Sequence, residues 1–267
     1  MAEYIDSPER AVDVALERVG QRIVLAAPLG IGKPNPVINA FYRRAKRDPA
    51  IELTLFTALS LTPPNAGSGL KRRFLGPFLE RHFGDYPRLE YVSDLHAGTV
   101  PANIRICEFY LQSGDMLGNA HAQQHYISSN YTHVARDMRE TGVNVLCQLV
   151  APHPDPDAGH FSLSANPDLT LDLVDLLEAR ERRPLLIAQS SPELPYMYGA
   201  SEVESDYFDC VLDQPECNYR PFAIPRSRRN QKPPGRGAAG GLEAGAAGRG
   251  SAASAGEFSI PYHGQSR

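Results

Sequence analysis

The sequence predicts an α/β domain, and three observations carry that expectation. Short apolar runs rich in Val, Ile and Leu recur along the chain. Segments with helical spacing of apolar residues alternate with them. Gly and Pro punctuate the changes from one to the other. Alternation of this kind is what strands joined by crossover helices produce.

The elements follow in order. SPERAVDVALERVG reads as the first helix, with Ser7 as N-cap and Pro8 at its first position. Ala11, Val14, Ala15 and Val19 repeat on one face. RIVLAAP is a candidate buried strand. After it, Asn35 is expected to cap the next helix and Pro36 to open it. Val37, Ile38, Phe41 and Ala45 recur with helical spacing, and Asp48-Pro49 ends the element. IELTLFTAL reads as a second strand. Strand, glycine loop, helix and strand make one βαβ unit with parallel pairing.

Residues 62–69 (TPPNAGSG) form a loop. KRRFLGPFLERHF reads as a short helix interrupted at Gly76-Pro77. PRLEYVSDL reads as a strand, and GVNVLCQLVAP as a very clear one. NPDLTLDLVDLLEARERR reads as a long helix capped by Asn166 and opened by Pro167. Its Leu169, Leu173, Leu176 and Leu177 share a face. RPLLIAQSSP and DYFDCVLD follow as strands. After Pro225 the composition changes to Arg, Gly, Ala and Ser. The domain is therefore set at 1–225. Residues 226–267 read as a disordered tail, with too little apolar surface to offset the entropy of ordering.

Composition excludes several classes. The formal net charge of −4 lacks the basic excess of a nucleic-acid binder. No apolar stretch reaches the length of a membrane span, and the N-terminus carries acids where a secretory signal would be apolar. Cys107, Cys147, Cys210 and Cys217 show no C-x-x-C spacing. Cys107 and Cys147 lie in apolar runs and read as small core residues. A reducing cytoplasm fits this usage.

Three segments are candidates for chemistry. GIGKPNP fails as a phosphate-binding P-loop, because Ala27 stands where the first glycine belongs and Pro34 where the Mg²⁺-holding hydroxyl belongs. It fails as a dinucleotide fingerprint, because Asn35 replaces the third glycine. A glycine loop at a helix N-terminus still offers N–H groups to an anionic or carbonyl oxygen. A tight turn with no ligand explains the same residues. His121 and His125 are spaced to share a metal, but Ala122 stands where a metalloprotease has Glu, so polar surface or cleft lining is the preferred reading. PHPDPDAGHFSLS contains His153, Asp155, Asp157 and His160. It has no familiar ligand spacing, yet it directly follows a strand, where ligands of open α/β sheets bind. A surface turn is the competing reading. No G-x-S-x-G is present. KRR at 71–73 and RRAKR at 43–47 read as solvated faces, with attraction of a phosphate as the weaker alternative.

Several of these blocks, in this order, resemble the N-terminal domain of the acetyl-CoA hydrolase/transferase family, relatives of 4-hydroxybutyrate CoA-transferase and the family I CoA-transferases. GIGKPNPVINAFYRRAKRDPAIELTLFTALSL is similar to the family's first glycine loop, helix and second strand. SSNYTHVARDM is similar to the segment before its central strand. GVNVLCQLVAPHPDPDAGHFSLS resembles the strand and loop that the family writes as an apolar run followed by S-P-P-D-x-x-G-x-x-S-L-G. PLLIAQSSPELPYMYG is similar to the next strand and turn. The resemblance covers roughly residues 8–225.

It implies a doubly wound, mostly parallel sheet with helices on both faces, and a CoA thioester as ligand. Coenzyme A is then a substrate, and no cofactor or metal is implied. It also implies a mechanism in which a glutamate attacks the thioester carbonyl to give an acyl-glutamyl anhydride. CoA thiolate then converts this to a glutamyl-CoA thioester, which a carboxylate or water resolves. In the family that glutamate lies in a second, C-terminal domain. No residue here matches its motif, neither Glu243 nor Glu257 takes its place, and no catalytic residue is assigned. The tail has the composition of a GC-rich gene read out of frame, so a truncated or frameshifted product, inactive alone, is expected. Two alternatives stay open: a CoA-ester-binding subunit completed by a separate C-terminal chain, and a nucleotide-binding oxidoreductase.

Implied substrate-facing residues are Gly30, Gly32 and Asn35, Ser129 and Asn130, and Gly159, His160 and Ser162, lining the acyl or pantetheine side of a cleft. Gly32→Val is expected to weaken CoA-ester binding without unfolding the domain. Expected partners are acyl-CoA and carboxylate small molecules, with a second copy or a C-terminal domain, and neither nucleic acid nor membrane. The expected location is cytoplasmic.

Overall fold

The computed structural model describes residues 2–180 and 182–219, all within one compact unit, Met1–Pro233. The predicted tail at 226–267 lies outside the described residues. In chain order the elements are β1 (Glu3–Ile5), α1 (Pro8–Val19), β2 (Arg22–Ala26), α2 (Asn35–Arg47), β3 (Glu52–Thr57), α3 (Gly69–Phe83), α4 (Glu90–Ala97), β4 (Ile104–Glu108), α5 (Ala120–His125), α6 (Val134–Thr141), β5 (Val145–Pro152), β6 (His160–Ser162), α7 (Pro167–Glu178), β7 (Leu185–Ser190), β8 (Glu202–Glu204) and β9 (Cys210–Leu212).

Seven strands form a parallel sheet in the order β1-β9-β7-β5-β2-β3-β4. Beyond the sheet, the end of β5 pairs antiparallel with β6, which pairs with β8. The chain runs outward from β2 through β3 to β4, then returns to the other side of β2 and runs outward again from β5. This doubly wound order matches the predicted fold class.

Alternation along each strand divides the core between the two faces. Ile23 and Leu25 of β2 pack with Val12, Val37, Phe41 and Tyr91 of the helices on one face. Val24 and Ala26 pack with Val134, Met138, Leu173 and Leu177 on the other. β5 is buried along nearly its whole length, as a central strand covered on both sides requires. Each fully buried Val or Leu there contributes roughly 1.5–3 kcal/mol.

Local signals placed several elements correctly. Ser7 caps α1 and accepts from the Arg10 N–H, and Val37, Ile38, Phe41 and Ala45 are the buried stripe of α2. All four cysteines are free thiols, with Cys107 and Cys147 buried. Four expectations are corrected. PRLEYVSDL is not a strand. Residues 90–97 are helix α4, which buries Tyr91, Val92 and Leu95 and ends at left-handed Gly98. The alternation of Leu89, Tyr91 and Leu95 satisfies both periods, and packing against α2 selects the helical one. The interruption at Gly76-Pro77 does not occur. α3 runs through Pro77 with no buried residue, so water can satisfy the carbonyl that proline leaves without a donor.

Asn166 precedes α7 without a side-chain capping bond, and the helix stops at Glu178, before the Arg-rich run. DYFDCVLD is a strand only over Cys210–Leu212. Elements without a local signature strong enough to predict are β1, β4, β6, β8, α5 and α6.

Candidate functional site

The order of the sheet reverses between β2 and β5, so the loops after these two strands flank the crevice where doubly wound proteins bind ligands. Those loops are the GIGKPN and PHPDPDAGH segments. They are joined through the turn after β6. Gln148, fully buried on β5, donates from Nε2 to the carbonyls of Leu163 and Asn166 at 3.1 and 3.0 Å, and accepts from Thr170. This pins Asn166 over Gly32. A Cβ at position 32 would lie 2.1 Å from Asn166 Oδ1, so Gly32→Val disturbs packing before it reports on binding. The expectation of a clean binding probe is corrected accordingly.

The β2 loop itself is largely closed. Gly30, with φ of 61°, Gly32, Lys33 and Asn35 are all buried. Asn35 is the first residue of α2 and not its cap. Its N–H faces the Lys33 carbonyl and the Tyr219 hydroxyl at 3.1 and 3.2 Å, and its Nδ2 donates to Pro87 O at 2.7 Å. Tyr219 in turn donates to Lys33 O at 2.6 Å. The donors expected to meet a ligand oxygen at Asn35 are therefore engaged by protein.

Lys33 is the residue that motif reading passed over. Its side chain is 1% exposed, and Nζ donates to the carbonyls of Ala58 and Leu59, the latter at 3.0 Å. Leu59 carries a φ of 46°, a conformation that costs a non-glycine residue free energy and is common at functional sites. Burial pushes the Lys33 amine down to about 7, against the opposing pull of the Glu108 carboxylate. Glu108, at the end of β4, is raised by its own burial and accepts from Ser60, which also bonds the Tyr91 hydroxyl. The lysine was visible in GIGKPNP. Its connection to Glu108 was not, because strand order alone brings the ends of β3 and β4 beside the β2 loop.

The open part of the site lies on the other side of β5. A cavity of about 410 Å³ is formed at the ends of β5, β7 and β9. His153, Asp155, Gly159 and His160 line it from the β5 loop, Ser190 and Pro192 from the end of β7, and Asp213, Pro215 and Asn218 from the segment after β9. The β5 loop is held rigidly. Asp155 accepts from the Asp157 N–H at 3.1 Å, His153 Nδ1 faces the Asp155 N–H at 3.0 Å, and Gly159 turns the chain with a φ of 67°. Ser190 is 1% exposed, and neither its hydroxyl nor the side-chain oxygen of Asn218 has a partner among the described residues. Buried polar atoms of this kind are rare unless water or a ligand meets them.

Gly159 and His160 thus line the cavity. Ser162 lies buried beneath it. Its hydroxyl donates to Met197 O at 2.8 Å and accepts from the N–H groups of Met197 and Ser164, leaving Ser164 at a φ of 53°. Gly30, Gly32 and Asn35 form the closed floor of the neighbouring crevice. Ser129 and Asn130 lie apart, before α6, where Asn130 accepts from the His133 N–H at 3.1 Å. They are not among the cavity residues. The rings of His121 and His125 meet edge to face with centroids 4.4 Å apart, and His121 Nε2 accepts from the Ile106 N–H. Among the described residues no group of three or more His, Cys, Asp or Glu side chains is placed to hold a metal ion, and no helix is long and apolar enough to cross a membrane.

No known protein family and no curated protein matches the sequence. Solved structures do match. The crystal structure of RipA from Yersinia pestis is 15% identical, with a TM-score of 0.55 over 84% of this chain and 43% of its own. A 4-hydroxybutyrate CoA-transferase from Porphyromonas gingivalis is 13% identical over 83% of this chain and 41% of its own, at 0.46. An acyl-CoA transferase from Escherichia coli O157:H7 is 11% identical over 86% and 50%, at 0.42. The chain spans less than half the length of RipA. Its doubly wound domain is similar in fold to one part of RipA, a likeness of fold and not of sequence.

Proposed function

We propose that the chain is the N-terminal α/β half of an acetyl-CoA hydrolase or CoA-transferase that acts on acyl-CoA thioesters through a glutamyl-CoA intermediate. One observation carries this reading. The two loops that resemble the family's glycine loop and its S-P-P-D-x-x-G loop are far apart in sequence, yet both stand at the switch point, and the turn that follows the second closes on Gly32 through Asn166. In this reading the cavity receives the acyl or pantetheine end, and the β2 loop with its buried Lys33 shapes the wall beside it. In this reading the nucleophilic glutamate belongs to a second domain. Coenzyme A is a substrate, and the setting is cytoplasmic acetyl-CoA metabolism. Calorimetric titration of the full chain with acetyl-CoA tests the reading. Saturable binding at one site per chain supports it, and no heat at millimolar ligand sinks it.

A second reading is that the chain is a CoA-ester-binding subunit completed by a separate C-terminal chain. α3 favours it. Leu70, Phe74 and Phe78 lie along one face at helical spacing, exposed to solvent by 79%, 81% and 47%, and a stripe of this size commonly marks a contact surface. Under this reading, mixing with such a subunit restores transferase activity. An unchanged rate on mixing removes it.

A further inference from the structure

The cavity at the ends of β5, β7 and β9 has a sign of charge that narrows what it accepts. Two carboxylates, Asp155 and Asp213, stand on its wall, and neither Lys nor Arg lines it among the described residues. A third carboxylate stands close by. Glu202 accepts from the Gly199 N–H at 2.8 Å and the Tyr196 hydroxyl at 2.9 Å. These bonds hold it below the usual carboxylate range, and His153 and His160 are near enough to pull in the same direction. A β6–β8 ladder places Glu204 directly opposite His160. His153 and His160 share that wall, and proline, Tyr4, Ser205 and the buried ring of Phe161 complete most of the rest. Behind the lining, the buried Ser190 hydroxyl and Asn218 side-chain oxygen have no partner among the described residues. The space is therefore lined by two carboxylates and two histidines, is partly apolar, and holds neither Lys nor Arg among the described residues.

Resting on the acyl-CoA reading above, we propose that this cavity takes the acyl end of the thioester and selects acyl groups that carry no negative charge. A short neutral acyl chain places its carbons against Pro152, Pro192 and Phe161. A dicarboxylate-derived acyl group brings a carboxylate against Asp155 and Asp213 with neither Lys nor Arg among the described lining residues to offset it. Charges a few Å apart near a protein surface interact strongly enough to change affinity by about tenfold or more. The CoA phosphates, for the same reason, lie outside this cavity.

The test is a comparison of butyryl-CoA, succinyl-CoA and free CoA binding to the full chain by calorimetry, repeated on the double variant Asp155→Asn, Asp213→Asn. Asparagine keeps the Oδ1 acceptor that Asp157 uses, so the β5 loop retains its turn. The expected result is succinyl-CoA binding about tenfold or more weaker than butyryl-CoA in the parent protein, with the ratio moving toward unity in the variant. Equal affinities in the parent overturn the selection and leave the acyl-CoA reading standing. A preference that the double variant leaves unchanged also overturns it, by placing the discrimination elsewhere. No binding of any of the three ligands overturns both the selection and the reading beneath it.

Discussion

Asn166 covers Gly32 so closely that a Cβ on the glycine would fall 2.1 Å from its Oδ1, 2.9 Å from its Cγ and 3.2 Å from its Cβ. The contact joins the loop after β2 to the turn before α7, and it exists because Gln148 on the central strand holds the Asn166 carbonyl. The side chain of Asn166 is 7% exposed, so it has little room to withdraw.

Gly32→Ala is therefore expected to destabilise the domain by about 1–3 kcal/mol, the usual cost of overpacking a core. Urea unfolding measures it. Combining it with Asn166→Ala should recover part of the loss, because the two positions share one contact. Additive losses in the double variant would show that the clash is relieved by a backbone shift instead.

Lys33 makes stability depend on alkaline pH. Its folded pKa is near 7, below the ordinary lysine value, so between about pH 7 and pH 10 the unfolded chain binds more protons than the folded one. Stability contributed at this site rises with pH through that window, and the burial cost is fully present below it. Lys33→Met removes the titration. The stability of the parent relative to Lys33→Met should rise by about 2–4 kcal/mol from pH 7 to pH 10, read by denaturant unfolding at several pH values. A flat difference across the window would place the amine's folded pKa back near that of a free lysine.

α3 should open first. None of its residues is buried, Pro77 interrupts its donors, and Phe74 faces solvent at 81% exposure. β5 is buried along nearly its full length and paired on both sides. Local opening free energies follow such differences in burial. Native-state hydrogen exchange should show α3 amides exchanging orders of magnitude faster than those of β5. Comparable protection would mean that α3 is covered in solution, and covering by a partner would then slow exchange only a little further.

Much of the scaffold was legible because its signals are local. The Ser7 cap, the Val37-Ile38-Phe41-Ala45 stripe and the apolar runs of β2, β3, β5 and β7 depend on residues within a few turns of one another. The two loops at the switch point were also legible, since turn residues after a buried strand mark where such a strand ends. Gly159 and His160, which the family resemblance singled out, stand on the cavity wall.

The sequence by itself determined the α/β class, the sites of its tightest turns and the candidate loops, because backbone sterics, capping and side-chain period act over short distances. Only the tertiary structure decided that residues 90–97 coil instead of extending, since Tyr91 and Leu95 fit both periods and α2 supplies the surface that chooses between them. It also decided that Lys33 lies beside Glu108, that Asn35 is sealed by Tyr219, and that Ser190, Asp213 and Asn218 complete a cavity begun by the β5 loop. Those contacts join distant stretches of chain through the order of strands in the sheet. That order follows from burying both faces of the whole sheet at once, which no short window of sequence encodes.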